Sequence, residues 1–172
     1  MLAELVHRPV NKGNVDTIIN YVGDDQTLFD ELIQHFVYGT KRVTQLTGWA
    51  VGYLGEKHPN LLASHHRLLL DQFKNHQLHD GIRRNIVKIY QSCSIGEQLE
   101  GELYDECLAN ILNPKEAIAI RAFSMTACEQ IAKQYPDLVP ELIDAIESVL
   151  STGSAGTKNR GMHTIRRLQK LR

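Results

Sequence analysis

The chain has 172 residues, 42% of them hydrophobic and 23% charged, with a formal net charge of −1. That length supports one domain with a real core, and the near-neutral charge argues against strong non-specific binding to nucleic acid, although it is compatible with a local basic patch. No apolar run approaches the roughly 18 residues of a membrane helix. The N-terminal MLAELVHRPVNKG also lacks the basic-then-apolar layout of a signal peptide, so a cytoplasmic protein with no membrane partner is expected.

Residues 1–12 read equally as a brief capping helix or a frayed terminus. Asn14 is a candidate N-cap for a helix to Val22, with Val15, Ile18, Ile19 and Val22 at helical spacing. Gly23-Asp24-Asp25 ends it, and Asp25 can cap a second helix to about Val37, where Leu28, Leu32 and Phe36 share a face. Thr40 is the next N-cap. The helix 41–56 places Val43, Leu46, Ala50, Tyr53 and Leu54 on one side. Trp49 beside them reads as core, with a binding hot spot as the alternative. After Pro59, a helix over 60–74 carries Leu61, Leu62, Leu68, Leu69 and Phe73.

A polar turn at 75–80 leads to a helix over 81–91 with Ile82, Ile86, Val87 and Tyr90 inward. Its partner spans about 97–112, with Leu99, Leu103, Cys107, Leu108, Ile111 and Leu112. Asn113-Pro114 breaks the chain, because proline lacks the donor a helix needs and disfavours helical geometry before it. Two helices joined at Tyr135-Pro136-Asp137 fill 115–150. A Ser/Gly-rich turn then precedes a last helix over 158–171 with Met162, Ile165 and Leu168. No alternating β pattern competes. Cys93, Cys107 and Cys128 lie in apolar stretches and read as reduced core residues.

The pattern repeats. His58-Pro59 and Tyr135-Pro136 break two helix pairs at positions 77 apart, near twice a unit of 38 or 39 residues. Arg42, Arg84, Arg121 and Arg160 recur at separations of 42, 37 and 39 in the first helix of successive pairs. Amphipathic pairs cannot bury their apolar faces alone, so stacking is expected. These arginines, with the small-residue run Ala122-Phe123-Ser124-Met125-Thr126-Ala127, resemble HEAT-like repeats of the armadillo type over roughly residues 14–171. The resemblance implies an all-α, right-handed superhelix forming one domain over 1–172. It would hold about four helix pairs (14–37, 41–74, 78–112 and 115–151) and the last helix.

Ala117–Met125, Pro140-Glu141-Leu142 and the final basic helix also resemble a group of small HEAT-type proteins of Bacteroidota, often labelled adenylosuccinate lyase. The Ser-Ser-x-Met-Pro-x-Lys loop of that enzyme is absent. The one Ser-Met, Ser124-Met125, sits inside a helix.

Chemistry-bearing residues are sparse. His76 and His79 have ligand spacing but fall in a turn, and His65-His66 point to different sides of a helix, so no metal site is expected. No nucleophile elbow or phosphate loop occurs, and no catalytic residue or cofactor is expected. Glu97, Glu100, Glu102, Asp105 and Glu106 lie between Lys88 and Lys115 with no cation among them. They read as a solvated face, or as an acidic stripe for a basic partner. After Glu147 there is no acid, while Lys158, Arg160, Arg166, Arg167, Lys170 and Arg172 are cationic. Cations late in a helix complement its dipole, and a phosphate-binding end is the functional alternative. The recurring arginines read as a structural ladder or as a phosphate-reading ridge. The expectation is a non-enzymatic scaffold for a protein partner, with Glu100, Asp105, Glu106, Arg160, Arg166, Arg167 and Lys170 as candidate contacts. A nucleic-acid module similar to HEAT-like DNA alkylation repair proteins is the alternative.

Overall fold

The computed structural model describes residues 1–171, and among them it contains ten α-helices, three short 3-10 turns and no strand. The helices are α1 (Leu2–Leu5), α2 (Lys12–Val22), α3 (Gln26–Tyr38), α4 (Lys41–Lys57), α5 (His66–Lys74), α6 (Asp80–Ile89), α7 (Glu97–Leu112), α8 (Ile118–Gln134), α9 (Val139–Leu150) and α10 (Ala155–Leu168). The chain forms two compact units, Met1–Ile89 and Tyr90–Arg172, so the expected pair 78–112 is divided between them.

In the first unit, α4 packs against α2, α3 and α6, and α5 packs against α6. Val15, Ile18, Leu32, Phe36, Leu46, Ala50, Leu69 and Phe73 are buried there, as helical spacing requires. The N-terminal segment is helical, with Leu2 and Leu5 buried against α2 and α3. Gly48 lets α4 approach its neighbours closely. A Cβ there would lie 2.6 Å from Phe36 Cε2 and 2.9 Å from Asn85 Nδ2.

In the second unit, α8 packs against α7, α9 and α10, and α7 also packs against α9. Cys107, Ile111, Ile120, Met125, Cys128, Leu142, Ile146 and Leu168 are buried. The three cysteines are buried and unbridged.

Local chemistry sets the ends. Asn11 rather than Asn14 caps α2: its extended backbone lets Oδ1 accept from Asn14 N at 2.9 Å. Gly23 closes α2 with φ +57°, a conformation that favours glycine. Asp25 caps α3 through Leu28 N at 2.9 Å. Ser154 caps α10 through Thr157 N at 3.2 Å, which starts that helix three residues before the expected Lys158.

Pro59–Leu62 and Pro136–Leu138 are both 3-10 turns, matching the repeated proline breaks. The expected helix 60–74 is not continuous. After the 3-10 turn the chain reaches His65, whose Nε2 lies 2.6 Å from Asp30 Oδ1 and whose ring packs 5.8 Å from that of Phe29. This anchor to α3 fixes the chain just before α5 begins. Tyr53, Leu112 and Met162, expected inward, are 49%, 47% and 46% exposed. Tyr53 and Met162 fall beside the apolar arcs of their helices, and Leu112, nine residues after Leu103, lies on the opposite face of α7. Trp49 is half-buried rather than in the core.

Of the four arginines expected in the ladder only Arg121 caps a helix end; Arg160 bonds to the side chains of Gln91 and Thr126 instead. Arg83, not Arg84, is buried, and its Nε donates to Phe73 O at 2.9 Å. Arg121 donates from Nε and Nη2 to Ile111 O at 3.0 and 2.9 Å. Each arginine is the fourth residue of its helix, and each acceptor is the penultimate residue of the preceding one. The last carbonyls of a helix lack intrahelical donors and carry the negative end of its dipole, so a guanidinium there both caps and neutralises. Thr44, fourth in α4, does the same work without charge, donating to Phe36 O at 3.0 Å. Arg42 is exposed and takes no part in the ladder.

Candidate functional site

The second unit carries an open groove of about 510 Å³ between α8 and α10. Its walls follow from helical spacing. Thr126, Gln130 and Lys133 stand along α8, and Asn159, Arg160, His163 and Arg167 along α10. Glu129 completes the lining at 1% exposure.

A buried carboxylate is costly unless a charge and hydrogen bonds meet it. Arg167 supplies both, donating from Nε to Glu129 Oε1 at 2.7 Å and from Nη2 to Oε2 at 2.6 Å. This bidentate bond holds the Arg167 guanidinium above its ordinary pKa, and its partial burial opposes the shift. Lys133 Nζ stands 3.5 Å from the same carboxylate. The Glu129 charge is therefore satisfied from two sides.

Arg160 is held differently. Its Nη1 donates to Gln91 Oε1 at 2.9 Å and to Thr126 Oγ1 at 2.7 Å, and its guanidinium lies 5.7 Å from the Phe123 ring centroid. Gln130 Nε2 donates to the backbone carbonyl of Gln91 at 3.1 Å. All of these partners are neutral, and no carboxylate among the described residues pairs with Arg160. A fixed guanidinium at an open groove is prepared to receive a planar anion.

A second, more enclosed cavity of about 240 Å³ lies beside the turn between α6 and α7, within the second unit. Gln130 and Lys133 line both spaces. Glu100 lines this cavity at 6% exposure. Its Oε1 accepts from Gln134 Nε2 at 3.0 Å and its Oε2 from Tyr135 Oη at 2.8 Å. The hydrogen bond to Glu100 is the main cause that raises the Tyr135 phenol above its ordinary pKa. Glu100 thus departs from the solvated face expected of it, because the end of α8 covers it.

The other candidates are dispersed. Arg166 and Lys170 are exposed. Asp105 is exposed on α7, and half-buried Glu106 accepts from Asn110 Nδ2 at 3.0 Å. The structure therefore brings Arg160 and Arg167 together and leaves Asp105 and Glu106 outside both lined spaces. Sequence reasoning missed Glu129, Gln91, Gln130 and Tyr135. One signal pointed to Glu129: it is the only charged residue between Arg121 and Lys133, isolated on an apolar helix.

Two of the histidines take structural roles. His65 anchors to Asp30, and His79 Nδ1 accepts from Gly81 N at 2.8 Å at the start of α6. Among the described residues no group of three or more His, Cys, Asp or Glu could hold a metal ion. No helix among them is long and apolar enough to cross a membrane.

A family model described as a HEAT repeat domain matches residues 2–167. No curated protein and no solved structure matches the chain.

Proposed function

The chain belongs to the HEAT repeat domain family, and from that premise we propose that it is a non-enzymatic scaffold that binds a protein partner along the α8–α10 groove. HEAT repeats commonly mediate protein–protein association through the long surfaces that stacked helices offer. The observation that carries the reading is Arg160, a guanidinium oriented by neutral acceptors and facing the groove. A partner's aspartate or glutamate, or a terminal carboxylate, would take the anion position. A cytoplasmic setting belongs to the same reading, supported by buried cysteines that a reducing compartment keeps as thiols.

The same guanidinium favours a second reading, in which a nucleic-acid phosphate fills the position. Charge weighs against it. Residues 90–172 hold nine Lys and Arg against eleven Asp and Glu, a balance of −2. A phosphate-backbone binder needs many cations on one face.

The test is affinity capture from lysate of the native host, with and without nuclease, using wild type and Arg160→Gln. A protein captured after nuclease by wild type but lost with Arg160→Gln supports the scaffold. Loss of all binding with nuclease transfers the groove to nucleic acid. Arg167→Glu is unsuitable, since it would set two carboxylates against each other at buried Glu129.

A further inference from the structure

We propose that the cavity bounded by residues 90–95, α7 and the end of α8 receives one arginine or lysine side chain of a protein partner, with its cationic head on Glu100. The proposal deepens the scaffold reading and rests on it.

The second unit buries two carboxylates, Glu100 and Glu129. Glu129 has a bidentate guanidinium from Arg167. Glu100 has only an amide and a phenol, both neutral. A carboxylate offers about four acceptor positions, so two donors leave it short of saturation and leave its charge unmatched. A partner guanidinium would give Glu100 what Arg167 gives Glu129.

The surroundings fit that occupant. At about 240 Å³ the cavity is below the roughly 300–1,000 Å³ typical of cofactor and drug-sized sites, and suits a single long side chain. Ile95, Leu103 and Ile131 line it and can cover an aliphatic stem. The helix α7 carries no Lys or Arg, and exposed Glu97 stands close enough to add its charge to that of Glu100 at Tyr135. Lys133 is the one cation in the lining, and it stands by Glu129 at 3.5 Å. Because Gln130 and Lys133 also wall the groove, one partner segment could set a cation in the cavity and a carboxylate on Arg160.

The experiment is a titration of the ¹⁵N-labelled full chain, followed by NMR, with N-acetyl-arginine methylamide and with its neutral isostere N-acetyl-citrulline methylamide. Saturable shifts at residues 92–100 and 130–134 are expected for the arginine probe only. Glu100→Gln should weaken it about tenfold or more, since a charge-assisted bond becomes a neutral one. Lys133→Gln should tighten it, by relieving repulsion. Equal binding of citrulline, an unaltered affinity in Glu100→Gln, or weaker binding in Lys133→Gln would overturn the proposal. Ala127→Met, which fills the cavity and leaves Glu100 in place, should abolish the shifts. It keeps the test decisive if Glu100→Gln fails to fold. A silent arginine probe alongside Arg160-dependent capture of a protein removes the cavity and leaves the scaffold. A responsive probe with no protein captured removes the scaffold instead.

Discussion

At the scale of single residues, Arg121 and Arg42 separate a structural arginine from a solvated one. Arg121→Met removes both donors to Ile111 O and leaves that buried carbonyl unsatisfied. The expected loss is about 1–3 kcal/mol, whereas Arg42→Met should stay within about 0.5 kcal/mol. Urea denaturation of the two variants checks this, and equal effects would refute the capping role. Asp30 adds a pH dependence. Gln26 Nε2 donates to its Oδ1 at 2.7 Å and lowers its pKa, burial opposes the shift, and the His65 contact lowers it further. A depressed carboxyl stabilises the fold above its unfolded pKa and loses that contribution as the pH falls through its folded one. The side chain is 51% exposed, so the gain is modest, under about 1 kcal/mol. Asp30→Asn should therefore melt below wild type at pH 6, with the gap closing as the pH falls below about 4. A gap that persists in acid would assign the effect to packing.

Elements were the most legible part of the sequence, because a 3.6-residue apolar period is a local signal. Each long helix lies near its expected position, and the two proline breaks fall in equivalent turns. What periodicity could not supply was contact between distant residues. The break before α5 depends on Asp30, 35 positions away. Choosing Arg83 over Arg84 required knowing which face of α6 meets the end of α5. The polar groove depended on α8 and α10 lying side by side, so Arg160 and Arg167 were found by charge, while Glu129 and Gln91 went unseen. Helix approach is testable at two closely packed glycines inside helices. Gly48→Ala drives a Cβ against the Phe36 ring and the Asn85 amide, and should cost about 1–3 kcal/mol. Gly161→Ala meets Leu150 Cδ2 at 2.7 Å, a side-chain end that can rotate aside, and the stiffer branch methyl Ile146 Cγ2 at 2.9 Å, so its cost should be smaller than that of the contact with the Phe36 ring. Thermal melts rank the two, and the reverse order would contradict the packing described.

For the molecule as a whole, salt separates the two functional readings. A protein partner that uses one or two ion pairs should lose affinity only several-fold between 50 and 200 mM salt, since few charges are screened. A nucleic acid engaged through 6–10 phosphates would lose roughly 10³–10⁵. Affinity measured at three salt concentrations decides between these slopes. The repeating cap also bears on how such a chain changes length. Arg83 and Arg121 are 38 residues apart, and each reaches back ten positions to its acceptor. Donor and acceptor are thus inherited together in one short stretch of coding sequence. An in-frame duplication of 38 codons spanning that stretch would bring its own helix cap with it, so growth by tandem copying leaves no carbonyl orphaned at the new junction.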